Sequence, residues 1–256
     1  MSTTDAPAQD CLQSRTLLIT GATGGLGSAL ARASANFGAT VILSGRDVPA
    51  LESLYDELEA SGAAQPAIYP VNHQAATEHD YQTMASTLAD EFGTLNGLVH
   101  CAVDSGRPTP LREYPADEWS RVMNVNFNSA FLLTRALLPL LDKSGDGSIV
   151  YVSDPKTTAF WGAYGVSKAA QDTMAAILAD EIEGMLNDAG HPRVCVNTVH
   201  PGPMRTRMRA RAFAGELPSE SPLPETRTDE FIHLLARTNP TRHGTHVSLE
   251  SADSEA

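Results

Sequence analysis

Six short apolar runs, separated by longer stretches of helical pattern, constrain the fold of this chain more than any other feature. They are RTLLIT (15–20), TVILSG (40–45), PAIYPV (66–71), GLVHCA (97–102), SIVYVS (148–153) and RVCVNTV (193–199). Each is continuously apolar rather than alternating, the pattern of a parallel strand covered on both faces. The stretches between them, 25–37, 48–60, 77–92, 116–141 and 162–186, read as helices. Alternating strands and helices make βαβ units, and right-handed crossovers wind these into one parallel sheet with helices on both faces. A short helix at 228–238 and a last strand at 245–249 bring the expected sheet to about seven strands.

No internal repeat or interior linker divides the chain. One α/β domain is therefore expected over 15–249, with loose tails at 1–14 and 250–256. Charge narrows the partners: a formal net charge of −13 argues against nucleic acid and anionic membrane surfaces. No apolar stretch approaches roughly 18 residues, so no membrane span is expected. The start, MSTTDAPAQD, lacks the basic and apolar regions of a secretory signal. Cys11, Cys101 and Cys195 lie far apart, which suits a reducing cytoplasm and argues against a disulfide framework or a metal site.

The first run leads directly into chemistry. LLITGATGGLGSALARA (17–33) is a buried strand, a glycine-rich turn and a small-residue helix start, as in a Rossmann-type dinucleotide site. Gly21 allows the tight exit from the strand, Gly25 lets the backbone approach a pyrophosphate, and Gly27 lets the helix pack on the sheet. Thr23 and Leu26 belong to the same candidate cofactor-binding turn. The helix N-terminus supplies N–H groups and a positive dipole end. An NAD site places an acid at the end of the second strand, roughly 20 residues past the glycines. Here that strand ends LSGRD (43–47), with Gly45 in the acid's place. Arg46 brings a guanidinium fork suited to a 2′-phosphate, and Ser44 could add a hydroxyl. Asp47 reads as a helix cap. NADP(H) is therefore expected ahead of NAD(H).

A second motif, WGAYGVSK (161–168), places Tyr164 and Lys168 four residues apart on one helix face. An ammonium near a phenol favours the phenolate and should lower its pKa towards the range of an acid–base catalyst.

With T-G-x-x-x-G-x-G at Thr20–Gly27 and Y-x-x-x-K at Tyr164–Lys168, the chain from about residue 14 to 249 resembles the short-chain dehydrogenase/reductase family. VILSGR, MNVNFNSAFLLTRALLPLL, WGAYGVSKAA and MRTRMRARAF are similar to its YciK-type bacterial branch. The resemblance implies interconversion of a small-molecule carbonyl and alcohol with NADP(H). It implies that Lys168 also holds the nicotinamide ribose and that Tyr164 passes a proton to or from the substrate oxygen. Asn126 matches an asparagine that bends a helix and holds a relay water, with Asn124 and Asn128 as neighbouring registers. Pro201 and Gly202 would lie beside the nicotinamide, with Thr206 near its amide or the phosphates. Asn72 stands where an aspartate commonly touches the adenine. A homodimer or homotetramer built on 116–141 and 162–186 would be expected.

The chain departs from the family's pattern in the turn after the fourth strand. His100, Cys101, Ala102 and Val103 replace the usual N-N-A-G. Cys101 and Ala102 remain cofactor-lining candidates, and Val103 would crowd the approach to the ribose.

The catalytic serine departs too. Tyr151 occupies its usual distance from the tyrosine, and Ser153 lies 11 residues before Tyr164. Ser153 is one candidate oxyanion donor. Alignment on the strand instead puts Asp154 in the serine's place, with a shortened loop, and Thr157 and Thr158 are further hydroxyls. A hydroxyl donates to a developing oxyanion, whereas an ionised carboxylate only accepts and raises the tyrosine pKa.

Residues 203–226 read as a substrate flap, in which Arg205, Arg207, Arg209 and Arg211 are candidates to face an acidic substrate and Arg205 and Arg209 should share a face. Such arginines face an acidic substrate or, more commonly, solvent or an interface. The rival to an enzyme is a dinucleotide-binding sensor or scaffold with degraded catalysis, marked by HCAV and Asp154.

Overall fold

A computed structural model describes residues 6–250. Seven parallel strands form one sheet: β1 (Thr16–Thr20), β2 (Thr40–Gly45), β3 (Ala67–Pro70), β4 (Gly97–His100), β5 (Gly147–Val152), β6 (Val194–His200) and β7 (His246–Ser248). Their order is β3-β2-β1-β4-β5-β6-β7, so the winding reverses between β1 and β4, where Thr20 lies opposite His100. In such sheets the crevice at the carboxyl ends of these two strands is where ligands bind.

Both faces of the sheet are covered, which explains the unbroken apolar runs. Leu17, Ile19, Leu43 and Val99 join one core cluster with α1 (Gly25–Asn36), α2 (Val48–Ala60) and α8 (Asp229–Ala236). Leu18, Ile42, Leu98 and Ile149 face the other way, onto α3 (Glu78–Phe92), α5 (Ser129–Ser144) and α6 (Gly162–Ile182). The period of two along each strand sends neighbours into opposite cores. One-sided clusters of apolar area on this scale are the main favourable contribution to folding.

Three expectations about organisation change. The helix expected over 116–141 is interrupted: α4 (Ala116–Met123) passes through a π-turn at Asn124–Asn128 before α5 begins. There Ser129 N–H bonds back to the Asn124 carbonyl, one residue wider than an α-turn. The segment before β1 is packed: Leu12 is fully buried, and its N–H donates to the Phe37 carbonyl at 2.9 Å. Residues 1–5 and 251–256 of the expected tails lie outside the described residues. In the flap, α7 spans only Arg207–Ala212, so Arg205 stands outside the helix and shares no helical face with Arg209.

Candidate active site

The glycine turn leaves β1 and enters α1. Gly21 has φ of +62°, and a Cβ there would lie 2.8 Å from the Ala102 backbone. A Cβ on Gly27 would lie 2.2 Å from the Gly21 carbonyl oxygen. Both positions therefore need glycine, one for conformation and close approach and the other for helix packing. Helix α1 has no side-chain cap and no acid in its first turn, so its N–H groups and dipole remain available to an anion. Thr206 closes this side, its methyl 2.6 Å from where a Gly25 Cβ would stand. Thr23 faces the end of β2, its hydroxyl 4.0 Å from an imagined Gly45 Cβ, while Leu26 is buried beneath the turn.

At the end of β2, Arg46 is exposed and forms no ion pair among the described residues. Asp47 caps α2, accepting from Ala50 N–H at 3.2 Å, as its position suggests. Ser44 differs from expectation. Its side chain is fully buried and its hydroxyl has no hydrogen-bond partner, so Arg46 is the exposed polar group at this strand end. Asn72 is exposed beyond β3 and accepts from Gln74 N–H at 3.2 Å.

Thr20, which sequence reasoning treated only as the start of a motif, ties the switch point together. Its hydroxyl accepts from Cys101 N–H and Ala102 N–H, each at 3.1 Å, and donates to the Val99 carbonyl at 3.3 Å. His100 turns inwards instead. It stacks on Tyr151 with centroids 4.6 Å apart and meets the Thr134 hydroxyl at 2.9 Å, and Thr134 in turn meets the Tyr151 hydroxyl. Burial holds the His100 imidazole neutral, its pKa pushed down to about 3. Tyr151 therefore belongs to the core, which removes it from the catalytic position.

Asn126 is the inward-facing asparagine of its three-residue set. It is fully buried on the π-turn, and its amide bonds Asp104 and the Ser167 hydroxyl. Asn124 and Asn128 pair with each other on the outside.

The centre of the site lies on α6. Tyr164 and Lys168 are both almost fully buried. The Lys168 ammonium donates to the Val152 carbonyl at 2.7 Å and to Gln171 Oε1 at 3.1 Å. Burial lowers its pKa to about 8, against the opposing pull of Asp154, Cys101 and Asp172.

The hydroxyl partner expected at Ser153 is not there. Ser153 donates to Asp172 Oδ2 at 2.7 Å, while the Tyr164 hydroxyl donates to Asp154 Oδ2 at 2.7 Å. The physical reason is strand register. Ser153 directly follows β5 and points into the fold, which leaves Asp154 to turn towards the tyrosine. The following loop is tight: Phe160 adopts φ of +75°, and a Gly165 Cβ would meet the Lys156 carbonyl at 2.1 Å. Thr157 and Thr158 lie on its exposed side.

The expected effect on the phenol reverses as well. Burial first, and then the Asp154 carboxylate, push the Tyr164 pKa well above the usual phenol range.

Pro201 is buried and Gly202 has φ of +72°, with Glu250 packed where a Cβ would stand. His200, just before them, bridges the Ser153 carbonyl and Glu250. Beside the N-terminus of α6 opens a cleft of about 570 Å³, lined among others by Asp104, Arg107, Arg121, Trp161 and Arg211. Trp161 packs on Tyr164, Phe213 of the flap packs on Trp161, and Arg209 lies over Phe213. Of the four flap arginines, Arg211 lines the cleft, while Arg205 and Arg209 bond within the flap. Arg209 pairs with Glu216 at 2.6 Å, and Arg205 donates to the Pro218 carbonyl.

The short chain dehydrogenase family profile matches residues 15–217, which include the glycine turn, Asn126, Tyr164 and Lys168. The chain belongs to the short-chain dehydrogenase family. Among its relatives, the uncharacterised oxidoreductase YciK of Escherichia coli K12 is 38% identical, covering 93% of this chain and 92% of its own. A short-chain dehydrogenase structure from Pseudomonas syringae superposes with a TM-score of 0.91 at 39% identity, covering 96% of this chain and 99% of that one. A second, from Escherichia coli CFT073 in complex with NADPH, gives a TM-score of 0.90 at 35% identity, covering 96% of this chain and 100% of that one. Within the short-chain dehydrogenase fold, the residues present here suit a dinucleotide: a glycine cradle that a Cβ would fill, an uncapped helix N-terminus and an unpaired Arg46.

Proposed function

We propose that this chain is an NADP(H)-dependent oxidoreductase that interconverts a carbonyl and an alcohol on a small molecule. The observation that carries the reading is the convergence of Tyr164, Lys168 and Asn126 beside a glycine cradle with a free arginine at the 2′-phosphate position. Gly21, Thr23, Gly25 and Gly27 with the α1 N-terminus would hold the pyrophosphate, and Arg46 the 2′-phosphate. Asn72 would meet the adenine. Cys101, Ala102, Tyr164 and Lys168 would line the ribose side, with Pro201, Gly202 and Thr206 at the nicotinamide. NADP(H), when bound, supplies or takes up the hydride.

Tyr164 moves the proton to or from the substrate oxygen. Lys168 places a buried positive charge one turn away, and Asn126 fixes the loop that borders the cleft. On the flap side Trp161 packs between Tyr164 and Phe213, over an almost fully buried Tyr164.

Phe131 on α5, and Val166 and Ile177 on α6, are 45%, 45% and 54% exposed, which supports self-association through these helices. The three free cysteines support a reducing, cytoplasmic setting.

The contact between Asp154 and Tyr164 favours a second reading, a cofactor-binding sensor or scaffold without turnover. NADPH fluorescence titration, run with NADPH oxidation against a panel of aldehydes, ketones and quinones, separates the two. Saturable binding with turnover supports the enzyme, and binding without turnover across the panel supports the sensor.

A further inference from the structure

Asp154 occupies the place where a neutral hydroxyl would serve the reacting oxygen. Its Oδ2 accepts the Tyr164 hydroxyl at 2.7 Å, and the neighbouring Ser153 hydroxyl is committed to Asp172. Only a neutral phenol can make the bond to Asp154, because a phenolate and a carboxylate are both acceptors. The other carboxylate oxygen, Oδ1, is buried and accepts no hydrogen bond; Lys156 lies 3.9 Å from it, beyond hydrogen-bond reach.

We propose that Asp154 is a catalytic residue that keeps Tyr164 loaded as a proton donor, making this chain a carbonyl reductase over the neutral range that oxidises alcohols only at alkaline pH. The inference rests on the oxidoreductase reading above. In reduction, a hydride from NADPH forms the new C–H bond as the carbonyl π-bond breaks, and the Tyr164 proton goes to the oxygen. NADPH is oxidised to NADP⁺, the carbonyl is reduced to the alcohol, and a solvent proton restores the phenol. Oxidation needs the opposite start, a phenolate to take the alcohol proton, and the adjacent carboxylate opposes that form. The equilibrium between substrate and product is untouched; what Asp154 sets is the pH at which each direction finds Tyr164 in its working form.

Other charges facing the pair are few. Lys168 and Asp172 come from α6, and Lys156 from the loop, 3.9 Å from Asp154 Oδ1. The Cys101 thiol, on the turn after β4, lies near Lys168, and burial pushes its pKa up to about 12, which keeps it neutral. His200, bonded to the Ser153 carbonyl and paired with Glu250, lies behind Ser153. Lys168 and Lys156 favour the phenolate. Burial and Asp154 oppose it, and the net direction at Tyr164 is upward.

The test titrates Tyr164 directly in the NADP⁺-bound protein by tyrosinate ultraviolet absorbance, with Tyr164→Phe as the subtraction blank. Wild type is compared with Asp154→Asn and Asp154→Ser, and NADPH affinity confirms that each variant folds. The expected result is a tyrosinate midpoint lower by about one pH unit or more in both variants. The rising limb of alcohol oxidation should shift with it. An unchanged midpoint overturns the inference whether or not the protein turns over, and turnover in that case leaves the oxidoreductase reading standing. A shifted midpoint without turnover of any carbonyl in the panel overturns the catalytic role and the oxidoreductase reading together.

Discussion

Asn126 holds Asp104 by both ends of its amide: Oδ1 accepts the Asp104 N–H at 2.7 Å, and Nδ2 donates to the Asp104 carbonyl at 2.9 Å. The same Nδ2 donates to Ser167 Oγ, which itself donates to the Tyr164 carbonyl. A buried side chain thus ties the loop after β4 to α6. Replacing Asn126 by Asp turns a donor into an acceptor facing two acceptors. We expect Asn126→Asp to lose about 1–3 kcal/mol of stability and most of its kcat, measured by thermal unfolding and NADPH oxidation. Asn124→Ala and Asn128→Ala, which break only an outer pair, should cost much less.

The glycine turn tolerates even less change. At Gly27 the added methyl would meet a backbone oxygen at 2.2 Å, and no side-chain rotation relieves that contact. Gly27→Ala should either fail to fold or lose NADPH binding, as read by circular dichroism and fluorescence titration. The exposed Gly184, whose Cβ would meet nothing within 4 Å and whose φ is not positive, provides a control that should keep NADPH binding.

Arg46 should act on cofactor choice alone. It is exposed and unpaired among the described residues, so Arg46→Ala should leave the unfolding temperature unchanged. Loss of a charged contact worth about 1.5–3 kcal/mol should weaken NADPH binding roughly 10–100-fold while leaving NADH affinity in place. Titrating both nucleotides against the variant reads the difference.

His100 makes the fold sensitive to acid. Its pKa falls to about 3 in the folded chain, against about 6.5 when unfolded. Between these values the unfolded state binds a proton that the folded state does not. The stability His100 contributes is therefore present above about pH 6.5 and is lost as pH falls towards about 3. Each pH unit in that window removes up to about 1.4 kcal/mol. The drop in urea midpoint from pH 7 to pH 5 should be smaller in His100→Gln than in wild type.

Much of this was legible in the sequence, and the exceptions share a cause. The strands, their parallel pairing and the glycine turn follow from local pattern, because burial on both faces leaves an unbroken apolar run. The π-turn at Asn124–Asn128 was not legible, since one extra residue in a helical turn leaves apolar periodicity almost unchanged; the asparagine cluster was its only trace. Sequence spacing could not choose between Ser153 and Asp154, because the choice depends on where β5 ends and how tightly the next loop turns. Nor could it assign Arg205 and Arg209, whose partners Pro218 and Glu216 lie further along the flap. The inward turn of His100 depends on Thr134 and Tyr151, distant in sequence and adjacent only in the fold.

The proposed function turns on Tyr164 moving the proton in an NADP(H)-dependent reaction. The most direct measurement compares wild type and Tyr164→Phe for NADPH binding and for NADPH oxidation with the best carbonyl of the panel. We expect near-equal binding and turnover lower by about 100-fold or more in the variant. Turnover that survives in Tyr164→Phe, or a wild-type protein that does not bind NADPH, would contradict it.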